Sequence, residues 1–151
     1  LITKAEVVSA VSSGNVIMGG AALLTLGEGF DPGDDVQVMG SELVIPVKVE
    51  TPSFTRINRI IAVGNGQIVF EQTVTTAMED LVDFEGQLTI PVDEDMHLTM
   101  LAFAEEPLTL IRPGAPVFSM TNPIYIDHQG DGFTPPGIRS VVPLPPPFCR
   151  P

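Results

Sequence analysis

The stretch ELVIPVKVE, residues 42–50, alternates apolar and polar side chains with a period of two. One face of this stretch is formed by Leu43, Ile45, Val47 and Val49, and the other by Glu42, Val44, Pro46, Lys48 and Glu50. Because successive side chains of a β-strand point to opposite sides, this period predicts a strand with one buried face. Pro46 has no N–H for a sheet ladder, so we expect an edge strand or a bulge there.

Further β-rich runs recur between turn signals. INRIIAVGNGQIVFEQTV, residues 57–74, predicts a hairpin, because the central GNG tolerates the positive φ of a tight turn. QLTIPV at 87–92 and HLTMLAFA at 97–104 predict a second strand pair, joined by a solvated acidic connection at 93–95. PVFSMTNPIYI at 116–126 predicts a strand interrupted at Pro123. Two short β segments, NVIM at 15–18 and ALLTL at 22–26, flank Gly19 and Gly20.

One short helix is predicted at about residues 3–13. Thr3 and Glu6 have the spacing of a capping box, and Gly14 is a suitable left-handed stop. With about seven short β segments and one helix, the chain is predicted to be mainly β. The predicted fold is an immunoglobulin-like antiparallel β-sandwich with a short N-terminal helix, spanning residues 1–134.

A proline-rich tail is predicted for residues 135–151, which hold seven of the 15 prolines. A sheet cannot accept that density of proline, so we expect an extended segment. Three roles remain open for it: a spacer, a strap laid over its own domain, or a ligand for a partner that binds polyproline.

Charge and composition exclude several classes of partner. Seven Lys plus Arg against 19 Asp plus Glu give a net charge of −12, which disfavours nucleic acid and anionic membrane surfaces. No apolar run approaches the roughly 18 residues of a membrane span. The single Cys149 excludes an internal disulfide. Because Leu1 opens the chain without a leader pattern, we expect the sequence to begin inside a longer product or after processing.

The run DHQGDG contains the sharpest candidate for a binding site. Asp127, Gln129, Asp131 and Gly132 have the spacing of the first half of a calcium loop, in which alternate side chains supply oxygens. The second half fails, because the twelfth position is Ile138 instead of a bidentate Glu. Two interpretations therefore remain: a calcium site of another kind, or an Asp/Gly turn that closes a strand.

No catalytic set is evident elsewhere in the sequence. His97 and His128 lack the local spacing of zinc ligands, and we expect each to have a structural role. The sequence contains neither a GxSxG nucleophile motif nor a GxxxxGK[ST] phosphate loop. The adjacent Glu105 and Glu106 are expected to belong to a solvated acidic surface.

The order of motifs along the whole chain carries a resemblance to a known family. The motifs are TKAEVVSAVSSGNVIMGG, LLTL, DPGDDV, LVIPVKVETPSFTRINRIIAVGNGQIV and TNPIYIDHQGDGF. In this order the chain resembles the C-terminal portion of secreted bacterial metallohydrolases of the PHP (polymerase and histidinol phosphatase) class. The most specific part of the resemblance comprises Thr121, Asn122, Pro123, Ile124, Tyr125, Asp127, Gly130, Asp131, Gly132 and Phe133.

The resemblance implies a parent enzyme, a metal-dependent hydrolase whose ligands, including an HxH motif, lie in an upstream barrel. This chain contains no HxH, so no catalytic or metal-binding residue of the family can be placed on it. What it implies for this chain is a non-catalytic accessory domain with a structural or substrate-gating role. Its implied partner is the upstream catalytic domain of the same polypeptide, and its implied location is secreted or periplasmic.

The rival hypothesis is a stand-alone binding module for carbohydrate or protein, in which Asp127 and Asp131 hold Ca²⁺. The absence of Trp and the presence of a single Tyr disfavour the stacking of sugars on aromatic rings.

Overall fold

The computed structural model describes residues 2–77 and 80–137, which form one α-helix and ten β-strands. The elements in chain order are α1 Lys4–Ser12, β1 Ile17–Gly20, β2 Leu23–Leu26, β3 Asp35–Val38, β4 Glu42–Glu50, β5 Arg59–Gly64, β6 Gln67–Thr73, β7 Val82–Pro91, β8 Met96–Phe103, β9 Phe118–Thr121 and β10 Ile124–His128. Most of the predicted tail, residues 138–151 with Cys149, lies outside the described residues.

The strands form two sheets. In the larger, seven-stranded sheet β8 is central: β5 and then β6 lie on one side, and β9 and β10 lie end to end on the other. β1 extends the sheet beside β9, and β3 extends it beside β10. The smaller sheet has the order β2-β4-β7. The molecule is therefore a mainly β-sandwich with one short N-terminal helix, which confirms the predicted fold class.

The main core joins side chains of both sheets. From the smaller sheet it takes the apolar face that period two predicted on β4, together with Leu24, Leu88 and Ile90. From the larger sheet it takes alternate residues of β8, namely Leu98, Met100 and Ala102. Burying each large aliphatic side chain contributes about 1.5–3 kcal/mol, so this core is the main source of stability.

A second apolar cluster lies on the opposite face of the larger sheet. Leu101 and Phe103 alternate along β8 with residues of the main core, so they point away from the smaller sheet. With Ile61 of β5 they form a buried group, against which Val63, Ile68, Phe118 and Met120 pack. We call these seven residues the outer-face cluster.

The edge position predicted from Pro46 is wrong, because β4 is the central strand of its sheet. β4 tolerates a proline here because β2 ends at Leu26, so Pro46 lies at the end of the hydrogen-bond ladder between β2 and β4. The carbonyl of Pro46 accepts the N–H of Gly27 over 2.8 Å. Gly27 is required at this close approach, since a Cβ there would lie 2.7 Å from Pro46 Cβ. The irregularity in β4 pairing falls instead between Val49 and Glu50.

Both strands of the predicted second pair exist, but they do not pair with each other. β7 pairs with β4 in the smaller sheet, whereas β8 pairs with β5, β9 and β10 in the larger one. The two strands also differ in burial: β8 buries residues on both faces, while β7 alternates buried and accessible residues. The chain therefore changes sheet at the acidic connection.

The short strand β3 was not predicted. Its sequence DVQV begins with an aspartate and contains only two apolar residues, so its pattern is weak. Its pairing with β10 is parallel, and Gln129 N–H extends the contact by donating to Val38 O over 2.9 Å. Tertiary pairing, rather than local propensity, makes this segment a strand.

The hairpin and the helix agree with their predictions. Asn65 and Gly66 occupy the β5–β6 turn with φ of 50° and 82°. Thr3 and Glu6 form the capping box of α1, and Gly14 follows the helix with φ of 79°. None of the residues of α1 is buried. The one helix in the described residues is too short to cross a membrane.

Candidate functional site in the closing loop

The candidate site comprises the last two residues of β10 and the segment after it, residues 127–134, which we call the closing loop. Gln129, Gly130 and Gly132 have φ of 78°, 71° and 104°, so the backbone reverses through left-handed conformations. Glycine adopts such conformations without steric cost, which explains two of the three positions. The loop is an Asp/Gly turn at the end of a strand.

Asp127 serves as an acceptor inside this turn. Its side chain is buried, and its two carboxylate oxygens lie 3.2 and 3.3 Å from the backbone nitrogen of Gly132. The carboxylate therefore holds the returning backbone of the loop. Gln129 and Asp131, its partners in the calcium hypothesis, are exposed.

Asp95 holds the same loop from outside. Its Oδ2 accepts the N–H of Thr134 at 2.5 Å, and its Oδ1 accepts the N–H of His128 at 2.8 Å. The N–H of Thr134, followed by that of His128, lowers the pKa of Asp95 below its ordinary value. The acidic stretch was predicted to be a solvated connection; Asp95 is partly exposed, and its two hydrogen bonds to backbone N–H groups were not predicted.

Three rings pack beside the loop. The centroids of His97, Tyr125 and Phe133 are 5.0–5.4 Å apart, and each pair meets edge to face. This is a favoured geometry for aromatic side chains. His97 lies opposite Tyr125 in the β8–β10 register and points away from the main core. The closing loop thus places Phe133 on the outer face of the larger sheet.

The backbone of each histidine is hydrogen-bonded to a neighbouring loop. The backbone N–H of His97 donates to Asn65 Oδ1 over 2.9 Å, which ties the start of β8 to the β5–β6 turn. Asn65 Nδ2 completes the link by donating to Asp95 O over 2.9 Å. His128 Nδ1 is buried and has no hydrogen-bond partner among the described residues.

The motif upstream of the loop joins three parts of the chain. Thr121 is buried, and its hydroxyl accepts the N–H of Met100 over 3.0 Å. Asn122 donates from its side chain to Gly14 O over 3.1 Å, and Pro123 O accepts the N–H of Gly33 over 2.8 Å. These contacts explain the break between β9 and β10, because the chain there binds the end of α1 and the approach to β3.

A buried ion pair lies elsewhere in the molecule. Asp83 Oδ2 accepts from Thr51 Oγ1 at 2.9 Å and from the N–H of Ile57 at 2.7 Å. Asp83 Oδ1 lies 3.4 Å from Arg56 Nε, and the side chains of Asp83 and Arg56 are 0% and 9% exposed. The pair fastens the β4–β5 connection to β7. Sequence reasoning missed it, because residues 27 positions apart show no local spacing.

The residues of the closing loop do not converge as a metal site. Within residues 2–77 and 80–137, no group of three or more His, Cys, Asp or Glu side chains is placed to hold a metal ion. Calcium binding by Asp127, Gln129 and Asp131 stays a prediction. Glu105, predicted to be solvated, is half exposed and pairs with Arg59 over 2.9 Å.

Comparison with known proteins adds no relative: no family model, no curated protein and no solved structure matches the chain.

Proposed function

We propose that this chain is the non-catalytic accessory β-domain of a PHP-type metal-dependent hydrolase, with a structural or substrate-gating role. The parent family is supported by the motif resemblance alone. The non-catalytic role is supported by one structural observation: three polar residues of the most specific motif bind backbone groups. Thr121, Asn122 and Asp127 each bind a main-chain group of a neighbouring segment.

The other prominent carboxylates are used in the same way. Asp95 accepts two backbone N–H groups, and Asp83 accepts one together with a hydroxyl. A general acid or base needs a proton-transfer partner in a cleft and a pKa near the working pH. A carboxylate that accepts backbone hydrogen bonds is stabilised in its charged form, as the lowered pKa of Asp95 illustrates. These carboxylates are therefore better suited to holding backbone segments in place than to transferring protons.

The helix provides the surface for the partner domain. Val7, Val8 and Val11 of α1 are 51%, 54% and 62% exposed, although the capping box fixes the start of the helix. Isolated helices shorter than about 12–15 residues are marginal in water, so a nine-residue helix without buried residues gains by packing on something else. We assign that role to the upstream catalytic domain of the same polypeptide.

An activity assay separates this proposal from a hydrolytic role for the chain itself. The purified 151-residue chain is incubated with p-nitrophenyl phosphate and Mn²⁺ or Zn²⁺, with and without chelator. The proposal predicts no metal-dependent turnover. Turnover that is abolished by chelator and by His97→Ala or His128→Ala would overturn it.

The docking surface is tested in the native polypeptide by limited proteolysis. We expect the variant V7S/V8S/V11S to be cut faster between the upstream domain and this one, because polar side chains weaken an apolar contact. The matched control is Val44→Ser, an exposed valine on the far side of the smaller sheet. Equal cleavage rates for the two variants would remove α1 from the interface.

A further inference from the structure

The long strand β7 forms one edge of the smaller sheet, because β4 is its only partner strand among the described residues. Its register with β4 is regular from Phe84 to Pro91. The strand contains no lysine, and its one proline is its last residue, Pro91. An edge of this kind presents unpaired N–H and C=O groups that can pair with another strand.

The side to which each backbone group of β7 points follows from Pro46. The carbonyl of Pro46 accepts the N–H of Gly27, the residue after β2, so the backbone groups of Pro46 point toward β2. In an antiparallel sheet these groups point to alternate sides along a strand, so those of Val47 point toward β7. Val47 lies opposite Gly86, and Gly86 therefore directs its N–H and C=O toward β4.

Three residues that alternate with the β4-facing ones direct their backbone groups away from the sheet, namely Glu85, Gln87 and Thr89. Within residues 2–77 and 80–137, no hydrogen bond engages these N–H and C=O groups. The three side chains are also exposed, on the face of the smaller sheet that points away from the larger one. The edge from 85 to 89 is therefore open to a further strand.

The other edges of the described sheets are short or irregular. β1, β2 and β3 have four residues each. β6 has seven residues, but its register with β5 shifts between Ala62 and Val63, which indicates a bulge. Short strands and bulges are means by which proteins prevent their edges from pairing with other chains. β7 has neither protection between residues 84 and 91.

We propose that β7 pairs with β7 of a second copy of this chain in antiparallel orientation. A twofold axis at Gln87 places this residue opposite its own copy, and it places Glu85 of each copy opposite Thr89 of the other. Each of these pairs then exchanges both of its N–H···O bonds, and the two three-stranded sheets become one continuous sheet. Because each copy uses the same edge, the pairing closes as a dimer and does not extend further.

The two ends of the edge select this register. Pro91 has no N–H, and the carbonyl of Asp83 already accepts the hydroxyl of Thr76. In the proposed register Pro91 of one copy lies opposite Asp83 of the other, so the groups that cannot pair face each other. Registers shifted by two residues place Glu85 opposite Pro91 or Thr89 opposite Asp83, and each of these loses a hydrogen bond.

Charge is compatible with the pairing, although each copy carries −12. Glu85 lies beside Lys48 of its own β4, and across the interface it faces the uncharged Thr89. The two Glu85 carboxylates of a dimer lie about 14 Å apart along the strand direction. The Debye length at physiological ionic strength is about 8 Å, so the repulsion between these carboxylates is largely screened.

Sedimentation equilibrium of the full chain at physiological ionic strength measures the association. We expect the average mass to rise from 16.1 kDa toward twice that value as the concentration approaches about 1 mM, where a dimer with a millimolar Kd is half formed. A mass that stays at 16.1 kDa would overturn the proposal, and so would a mass that exceeds twice this value without a plateau. The assay contains this chain alone, so its outcome is independent of the proposed parent enzyme.

Gln87→Pro tests which backbone groups form the contact. The N–H of Gln87 points away from β4, so its loss should leave the fold intact, as circular dichroism would show. The dimer loses this donor in both copies, and the proline ring occupies the space of the second strand, so Kd should rise about tenfold or more. Gln87→Ser, the matched control, keeps the N–H and should change Kd by less than about threefold. Equal Kd values for the two folded variants would overturn the proposal.

Thr89→Lys tests the register through charge. It places an ammonium group opposite Glu85 twice in each dimer, so Kd should fall about two- to thirtyfold. Val44→Lys is the matched control, because Val44 is exposed beside Thr89 on the same face and the replacement changes the net charge equally. The control should lower Kd much less, and equal decreases for the two variants would overturn the proposed pairing.

Discussion

Replacing Asp83 by alanine removes the carboxylate of the buried ion pair and leaves the Arg56 guanidinium with its hydrogen bonds to neutral groups, among them Ala77 O and Pro52 O. Asp83 accepts from Thr51 Oγ1 and from the N–H of Ile57, and its second oxygen faces Arg56 at 3.4 Å. Because the two ionic side chains are at most 9% exposed, water cannot replace the lost carboxylate. Breaking a buried pair by removing one partner costs about 3–5 kcal/mol.

That cost is large against a typical free energy of unfolding of about 5–15 kcal/mol. For a chain of this length, 1 kcal/mol corresponds to about 2–4 °C in Tm, so Asp83→Ala should lower Tm by roughly 6–20 °C. Urea unfolding followed by far-UV circular dichroism measures the free energy directly. Glu85→Gln, an exposed carboxylate on the same strand, is the matched control and should change stability by less than about 0.5 kcal/mol.

A double variant tests the electrostatic reason for the loss. Replacing Arg56 by methionine also removes its hydrogen bonds to Ala77 O and Pro52 O, so the double-mutant cycle isolates the ion pair: the replacement should cost less stability in the Asp83→Ala background than in the wild type. The reasoning is refuted if Asp83→Ala unfolds within about 0.5 kcal/mol of the wild type. It is also refuted if Arg56→Met costs as much stability in the Asp83→Ala background as in the wild type, because the two side chains would then not be coupled.

Three further predictions concern the closing loop and its surroundings. The folded-state pKa of Asp95 is lowered, so the contribution of Asp95 to stability is present above the unfolded pKa of about 4 and is lost as pH falls through the folded pKa. Fluorescence of Tyr125, the only tyrosine, should therefore report loop opening below about pH 4 in the wild type. Asp95→Asn should show the fluorescence of the open loop already at neutral pH. Asn65→Ala should cost about 1–2 kcal/mol in urea unfolding, because the backbone N–H of His97 loses its acceptor. Adding 10 mM CaCl₂ should leave Tm unchanged because Asp127 already holds backbone; a site with a Kd of about 0.1 mM would instead stabilise the fold by about 2.7 kcal/mol, or roughly 5–11 °C.

Local signals in the sequence predicted the elements but not all of their partners. The period of two placed Leu43 and Ile45 in the core, and the GNG turn placed the β5–β6 hairpin. The capping box of Thr3 and Glu6 placed α1. Each of these features depends on neighbours within a few residues, which a sequence displays directly.

Pairing between distant segments could not be predicted in the same way. The joining of β7 to β4 and of β8 to β5 depends on how the two sheets assemble, which no local pattern shows. β3 depends on β10, about 90 positions later in the chain.

The candidate site shows the same limit. Asp127 and Gly132 were singled out for their spacing, and a turn was one of the two interpretations. The hydrogen bond between Asp95 and the N–H of Thr134 was not predicted, because the sequence does not show that the fold brings these two distant residues together. Side chains that hold distant backbone leave little trace in a single sequence.

The measurement that tests the central proposal most directly is the size of the native protein in the cells that produce it. An antibody raised against the purified chain is used to blot whole extract and exported fractions, and antibody absorbed with that chain is the control. An accessory domain of a larger enzyme predicts a band of at least about twice 16.1 kDa, since one additional domain has at least that size. A single band near 16.1 kDa in every fraction would contradict the proposal.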